Sequence, residues 1–219
     1  LRAHGEAISA VGGRFVLRRG HSADELARLA QETGASAVYC SRGYEPWASV
    51  LEREVRERLG ADGVEVKRFA GALLHDPDGL VTKAGTPFRM FTPFWRSFAG
   101  GVTVARPIAA PRKIVSPQRV PESEDLASWA LLPTAPDWAG GLRDAWTAGE
   151  TAAHARLASF VEERLSAYGR MRDRPDREGT SRLSPHLAFG EISPRQCWWA
   201  AKDAAGRASE GDGIETFLK

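Results

Sequence analysis

The sequence lacks three features that mark well-defined classes of protein. It has only two cysteines in 219 residues, and Cys40 and Cys197 have no partners at metal-ligand spacing, so neither a disulfide framework nor a metal site is expected. Long apolar runs are missing, which argues against a membrane span. The first residues also lack the basic and then apolar layout of a secretion signal. We therefore expect a cytoplasmic protein with reduced cysteines and no contact with a membrane.

A large excess of charge of one sign is absent as well. The net charge is +2, from 30 basic and 28 acidic residues, which argues against a surface coated in nucleic-acid-binding charge. A local basic patch is still compatible with this balance. Six arginines crowd one segment of the chain: Arg164, Arg170, Arg172, Arg174, Arg177 and Arg182.

Strand and helix patterns alternate through residues 1–103. Three short apolar runs predict strands, at 15–17, 37–40 and 64–66. Helices are predicted before Gly12, from Ser22 to Gly34, and over about 46–59. This alternation favours parallel crossovers, so we predict an α/β doubly wound parallel sheet. No glycine-rich loop follows any strand, so the fold alone predicts no dinucleotide site. Because the chain begins within a helical pattern, we expect this domain to lack its first elements.

Aromatic residues and prolines mark the next two segments. Thr92-Pro93 predicts a helix start, followed by a helix that buries one aromatic side, formed by Phe91, Phe94, Trp95 and Phe98. Residues 104–146 contain six of the 13 prolines and have no sustained periodicity, which predicts an interdomain linker. Three tryptophans in it predict that the linker packs against the protein: Trp129, Trp138 and Trp146.

Residues 147–219 predict the beginning of an all-α domain. A capping box at 147–150 opens a helix whose apolar face continues to Tyr168. After Trp199 only one short segment follows, at 214–219. About seventy residues form a small body for an independent helical domain. We therefore predict that this domain is truncated as well.

The stretch 168–199 contains the most distinctive turn of the chain. Residues 179–185 combine the hydroxyls of Thr180, Ser181 and Ser184 with the guanidinium of Arg182, directly before a helix start at Ser184-Pro185. A second start follows at 193–196, with a capping-box glutamine. Hydroxyls, N–H groups and the positive ends of helix dipoles can seat a phosphate. Judged on spacing alone, simple helix capping without a ligand is the favoured interpretation.

The same residues resemble one known family. Tyr168, Arg172-Asp173 and the runs 179–187 and 190–196 resemble the opening of the flavin domain of DNA photolyases and cryptochromes. The run Thr-Pro-Phe-Trp-Arg at 92–96 and the Tyr44-Glu45-Pro46 corner resemble the α/β domain of that family. The resemblance covers the whole chain in order and is closest to the deoxyribodipyrimidine photolyases. It favours a ligand site over simple capping.

The resemblance implies a cofactor, a partner and an activity. Flavin adenine dinucleotide (FAD) would contact Tyr168, Thr180, Ser181, Arg182, Leu183 and Ser184. Arg172 would contact a phosphate of UV-damaged DNA. The implied activity is light-driven repair of cyclobutane pyrimidine dimers by electron transfer from reduced FAD, in a monomeric enzyme whose catalytic residues lie outside this chain. The chain alone would be inactive. A cryptochrome-like blue-light photoreceptor without repair activity is the alternative.

One departure from the family concerns a second, antenna chromophore. In folate-type photolyases an Asn-Glu pair follows the Tyr-Glu corner, whereas Trp47 and Ala48 occupy the matching positions here. A folate antenna is therefore not expected, and a deazaflavin, another chromophore or an empty pocket stays open. A third interpretation, a nucleotide-binding α/β protein with an unrelated helical tail, accounts for residues 1–100 but leaves the 168–199 stretch unexplained.

Overall fold

A computed structural model describes residues 1–205 and 212–219 and divides them into two compact units. The first unit combines Leu1–Ala70 with Ala109–Thr147, and the second combines Gly71–Ile108 with Ala148–Lys219. No helix in the described ranges is long and apolar enough to cross a membrane. The predicted domain limits, 1–103, 104–146 and 147–219, stay predictions.

The first unit is built from helices and a small parallel sheet. Its elements are α1 (Arg2–Ala10), α2 (Ser22–Thr33), β1 (Ala37–Ser41), α3 (Pro46–Ala61), β2 (Glu65–Phe69), a 3₁₀ turn (Leu126–Trp129) and α5 (Gly140–Ala145). Gly34 ends α2 in the left-handed conformation, as the sequence predicts, because glycine adopts a φ of 69° without a steric penalty.

Two parallel strands and two helices form the core of this unit. β1 and β2 pair in parallel, with Val38 opposite Val66. Ala23 and Ala27 of α2 and Leu59 of α3 are buried in one apolar cluster, against which both valines pack. The predicted parallel pairing of the second and third strands is therefore confirmed, with helices packed on one of the two faces of the sheet.

The strand predicted at 15–17 is wrong. The backbone of Leu17 instead pairs with the proline-rich segment: its N–H donates to Ser123 Oγ at 3.0 Å, and its carbonyl accepts from the N–H of Glu124 at 2.8 Å. The Arg19 guanidinium also lies 5.2 Å from the centre of the Trp129 ring. An apolar run of three residues cannot specify its partner, and contacts more than 100 residues away in sequence decide its conformation here.

The second unit is mostly helical. Its elements are a 3₁₀ turn (Pro77–Gly79), α4 (Phe91–Gly101), α6 (Glu150–Glu163), a 3₁₀ turn (Leu165–Ala167), α7 (Tyr168–Met171), α8 (Ser184–Ala188), α9 (Pro194–Ala205) and α10 (Asp212–Leu218). Phe160, Leu165 and Ala201 are almost fully buried together, and Phe217 packs against them. This cluster joins α6, α9 and α10 around one core.

The aromatic helix α4 differs in detail from its prediction. It begins at Phe91 after Met90, so Thr92 is already helical and does not cap it. Phe98 is 3% exposed and its ring lies 5.7 Å from that of Trp198, whereas Phe91 is 53% exposed. The buried side of the helix is therefore narrower than the aromatic spacing predicts.

Candidate functional site

The turn at 179–184 lies on an apolar base. Leu183 is buried with Ala153 and Leu157 of α6, with Ile192 and with Cys197 of α9. Burial raises the pKa of the Cys197 thiol to about 11, so this cysteine is an inert part of the base. The base fixes the end of the turn to the long helix α6.

Close backbone packing and one left-handed residue shape the turn. A Cβ atom at Gly179 would lie 2.5 Å from the carbonyl oxygen of Met171, so only glycine fits there. Arg182 has a φ of 52°, which is unfavourable for a residue with a Cβ atom. Its guanidinium forms a 3.2 Å ion pair with Glu178. A strained backbone that the surrounding structure maintains is common at ligand sites.

None of the three hydroxyls of the turn caps helix α8. α8 begins at Ser184 itself with Leu183 as its N-cap, and no side chain caps it, so the predicted capping role of Ser184 is wrong. Thr180 and Ser184 are exposed and Ser181 is half-buried. Within residues 1–205 and 212–219, no hydrogen bond to another residue engages these hydroxyls. They are thus available to a ligand.

Leu183 differs from the other predicted cofactor residues. Its side chain is 2% exposed within the apolar base, and its carbonyl accepts the N–H of Leu187 at 2.9 Å. The side chain therefore anchors the turn, and a cofactor contact at Leu183, which stays a prediction, would have to come from its backbone.

Tyr168 stands at the start of α7 against aromatic neighbours. Its half-buried ring meets Phe160 edge-on at 5.6 Å and Phe217 edge-on at 5.4 Å between ring centres. Such edge-to-face contacts fix the plane of a ring. The orientation of Tyr168 is therefore set by α6 and α10, which the sequence pattern did not indicate.

The basic segment after Tyr168 contains arginines with different partners. Arg174 makes two 2.8 Å hydrogen bonds to Asp176, which hold the pKa of that carboxyl below its ordinary value. Arg172 is exposed, and its Nε lies 3.5 Å from Asp173 Oδ1. Exposed pairs of this kind are weak, so Arg172 can exchange its partner for a phosphate at little cost.

The second predicted helix start is closed by its own side chains. The N–H and Oγ of Ser193 both donate to Gln196 Oε1, and the N–H of Gln196 donates to Ser193 Oγ at 3.2 Å. The predicted capping box is confirmed. Because the Ser193 side chain already engages the Gln196 N–H at this helix end, the turn at 179–184 is the better candidate for an anion site.

A histidine–glutamate pair next to the turn has no signature in the sequence. His186 of α8 is 2% exposed, and its Nδ1 lies 2.6 Å from Glu191 Oε2. Glu191 Oε1 accepts the N–H of Gly149, the N-cap residue of α6, at 2.7 Å. No local pattern signals a contact between positions 149 and 191.

Comparison with known proteins identifies the family. Residues 1–112, slightly more than half of the chain, match the family model described as DNA photolyase. The chain belongs to the DNA photolyase family.

Relatives of this photolyase-family chain extend well beyond the region it covers. A deoxyribodipyrimidine photo-lyase of Agrobacterium fabrum is 41% identical over 219 residues, covering 100% of this chain and 46% of that protein. The crystal structure of a bacterial class III photolyase from Agrobacterium tumefaciens superimposes with a TM-score of 0.94 at 41% identity, covering 99% of this chain and 45% of that one. An archaeal photolyase from Sulfolobus tokodaii, described with two FAD molecules, has a TM-score of 0.67 at 20% identity, covers 99% and 44%, and shows the fold alone. The chain spans less than half the length of these relatives.

The turn of this photolyase-family chain fits the diphosphate of a flavin dinucleotide. It offers two exposed hydroxyls and one half-buried hydroxyl, at Thr180, Ser184 and Ser181. Hydroxyl donors of this kind suit phosphate oxygens. The side chain of Leu183 is buried beneath these hydroxyls and anchors the turn.

The first unit contains a separate apolar cavity of about 220 Å³. Trp47 lies at it with 66% of its surface exposed, while Ala48 is 5% exposed. Val38, Cys40, Leu51 and Val66 line it as well. The positions of the Asn-Glu pair of folate-type photolyases are thus a bulky aromatic and a buried methyl group, and neither has the amide or the carboxylate of that pair.

Proposed function

We propose that the chain is part of a deoxyribodipyrimidine photolyase that repairs cyclobutane pyrimidine dimers in DNA with light and FAD. The observation that supports this most is the 41% identity to a deoxyribodipyrimidine photo-lyase along the entire chain. The exposed hydroxyls of the turn at 179–184 agree with the implied cofactor. In the intact protein we propose that the first unit is completed to a doubly wound parallel sheet and the second to an all-α flavin domain.

The residues of the turn would hold and orient the cofactor. Thr180, Ser181 and Ser184 would donate hydrogen bonds to its diphosphate and ribityl portion, while Tyr168 would flank it from α7. The exposed Arg182 would add its positive charge beside the diphosphate. Once bound, FAD would supply the light-driven one-electron chemistry that splits the dimer. The chain's own contribution is position and charge, and no catalytic residue is assigned within it.

Arg172 would contribute to the binding of damaged DNA. It is exposed and lies four positions after Tyr168 and seven positions before Gly179 of the turn. A guanidinium matches the geometry of phosphate oxygens and can bind two of them at once. The proposed partner is thus UV-damaged duplex DNA, and a cytoplasmic monomer stays a prediction.

The experiment uses the full-length protein that contains this chain. We expect it to purify with FAD, seen as flavin absorbance released on denaturation, and to convert a dimer-containing oligonucleotide to the repaired form only under blue light. Flavin without repair would favour the cryptochrome-like photoreceptor. A protein without flavin would contradict both and support a nucleotide-binding α/β protein with an unrelated tail.

A pair of isosteric variants tests the turn itself. Thr180→Val removes one hydroxyl of the turn, and Thr151→Val makes the same change at an exposed position of α6. Loss of a hydrogen bond to a charged group costs about 1.5–3 kcal/mol, so we expect Thr180→Val to weaken FAD binding by roughly tenfold or more while Thr151→Val leaves it unchanged. Equal affinities in the two variants would remove Thr180 from the site. The 219-residue chain expressed alone is expected to bind FAD weakly and to repair nothing.

A further inference from the structure

The carboxylate of Glu191 joins two helices at the back of the proposed cofactor turn. One oxygen contacts His186 Nδ1 in α8, and the other accepts the N–H of Gly149 at the start of α6, 42 residues away in sequence. An ionised carboxylate can only accept hydrogen bonds, so in this pair Nδ1 carries the proton of the imidazole. Both contacts are charge-assisted and therefore stronger than bonds between neutral groups.

Burial protects this double contact from water. The side chain of His186 is 3% exposed and that of Glu191 is 22% exposed. Hydrogen bonds in such surroundings are stronger than at the surface, and breaking one leaves a buried polar group without compensation. The backbone closes the same loop, because the N–H of Glu191 donates to the carbonyl of His186 at 2.9 Å.

The short helix between the turn and this contact depends on it for its orientation. α8 has only five residues, Ser184–Ala188, which is too short to be stable by its own hydrogen bonds. Leu183 and His186 are both buried and lie three positions apart, on one face, whereas Ser184 and Leu187 are exposed. The buried side chain of Leu183 and the hydrogen bond between His186 and Glu191 thus hold the buried face of α8. Together they determine which way the hydroxyl of Ser184 points.

We propose that Glu191 is a positioning residue for the cofactor turn. Its hydrogen bonds connect α8 to the start of α6. Before the cofactor binds, they already keep the hydroxyls of residues 180–184 in the arrangement that receives the FAD diphosphate. Preorganisation of this kind raises affinity because the ordering of the site is complete before binding. This inference rests on the proposed function.

Variants of Glu191 in the full-length protein test the proposal. Glu191→Ala removes both contacts. Glu191→Asp keeps the charge on a stem one methylene shorter, which cannot span both partners. Glu191→Gln can keep both contacts, since its amide oxygen accepts from Gly149 and its NH₂ group donates to the other tautomer of His186. Glu162→Ala, at an exposed position of α6, is the matched control.

The measurements are the dissociation constant of FAD for the folded apoprotein, the visible circular dichroism of the bound flavin, and the unfolding temperature. We expect Glu191→Ala and Glu191→Asp to weaken FAD binding by about tenfold and to change the flavin dichroism at a temperature where both are folded. Glu191→Gln should restore affinity to within about threefold of wild type, and Glu162→Ala should match wild type.

Two results would overturn the proposal. Unchanged FAD affinity and dichroism in Glu191→Asp, with only a lower unfolding temperature, would overturn the proposal and leave the pair a purely structural contact. Glu191→Asp carries this decision if Glu191→Ala does not fold. A wild-type protein that binds no FAD would instead overturn the proposed function, and this inference with it.

Discussion

Leu183→Ala measures how firmly the cofactor turn is anchored. Leu183 is 2% exposed within the apolar base formed with Leu157, Ile192 and Cys197. The change removes three buried carbon groups of the side chain. The burial of each such group contributes roughly 0.8 kcal/mol to the free energy of unfolding. A site between packed helices collapses only in part, so the remaining cavity adds to this cost, and we expect a total loss of about 3–5 kcal/mol. That loss is a large part of the stability of an ordinary domain, about 5–15 kcal/mol.

The assay is urea unfolding of the full-length apoprotein, followed by far-ultraviolet circular dichroism, together with FAD binding at low temperature. Leu187→Ala is the matched control, because Leu187 is 38% exposed in the same short helix and its loss should cost under about 1 kcal/mol. Equal unfolding midpoints in the two variants would refute the anchoring role. A Leu183→Ala protein with unchanged stability and no FAD would show that the side chain contacts the cofactor directly.

Three further predictions concern other residues. Arg172→Ala should weaken binding of dimer-containing DNA and lower the salt slope of log K by about one, measured by fluorescence anisotropy at several salt concentrations, without altering flavin content; an unchanged slope would exclude a phosphate contact. Gly179→Ala should lower the free energy of unfolding by about 1–3 kcal/mol because its Cβ would clash with the backbone, whereas Gly100→Ala, with no atom within 4 Å of its Cβ, should not. Since burial raises the pKa of Cys197 to about 11, its thiol should stay protonated and resist iodoacetamide at pH 8, where the half-buried Cys40 reacts first; rapid labelling of Cys197 would contradict its burial.

The part of the fold that could be predicted from sequence is the part with local causes. Gly34 ends α2 because a left-handed residue there favours glycine, and the β1–β2 pair follows from apolar runs separated by one helix. The strand at 15–17 could not be judged in this way. Its backbone groups pair with Ser123 and Glu124, and no property of the three residues themselves encodes those partners.

The candidate site also combines features with local causes and features with tertiary causes. The sequence by itself determined which groups are present: three hydroxyls and an arginine before a helix, and the Ser193–Gln196 capping box, whose partners are three residues apart. Only the tertiary structure decided what each group does. It buried Leu183 beneath the turn and left Ser184 uncapped. It also placed Glu191 between His186 and Gly149, because hydrogen bonds across 42 residues form only when helices pack.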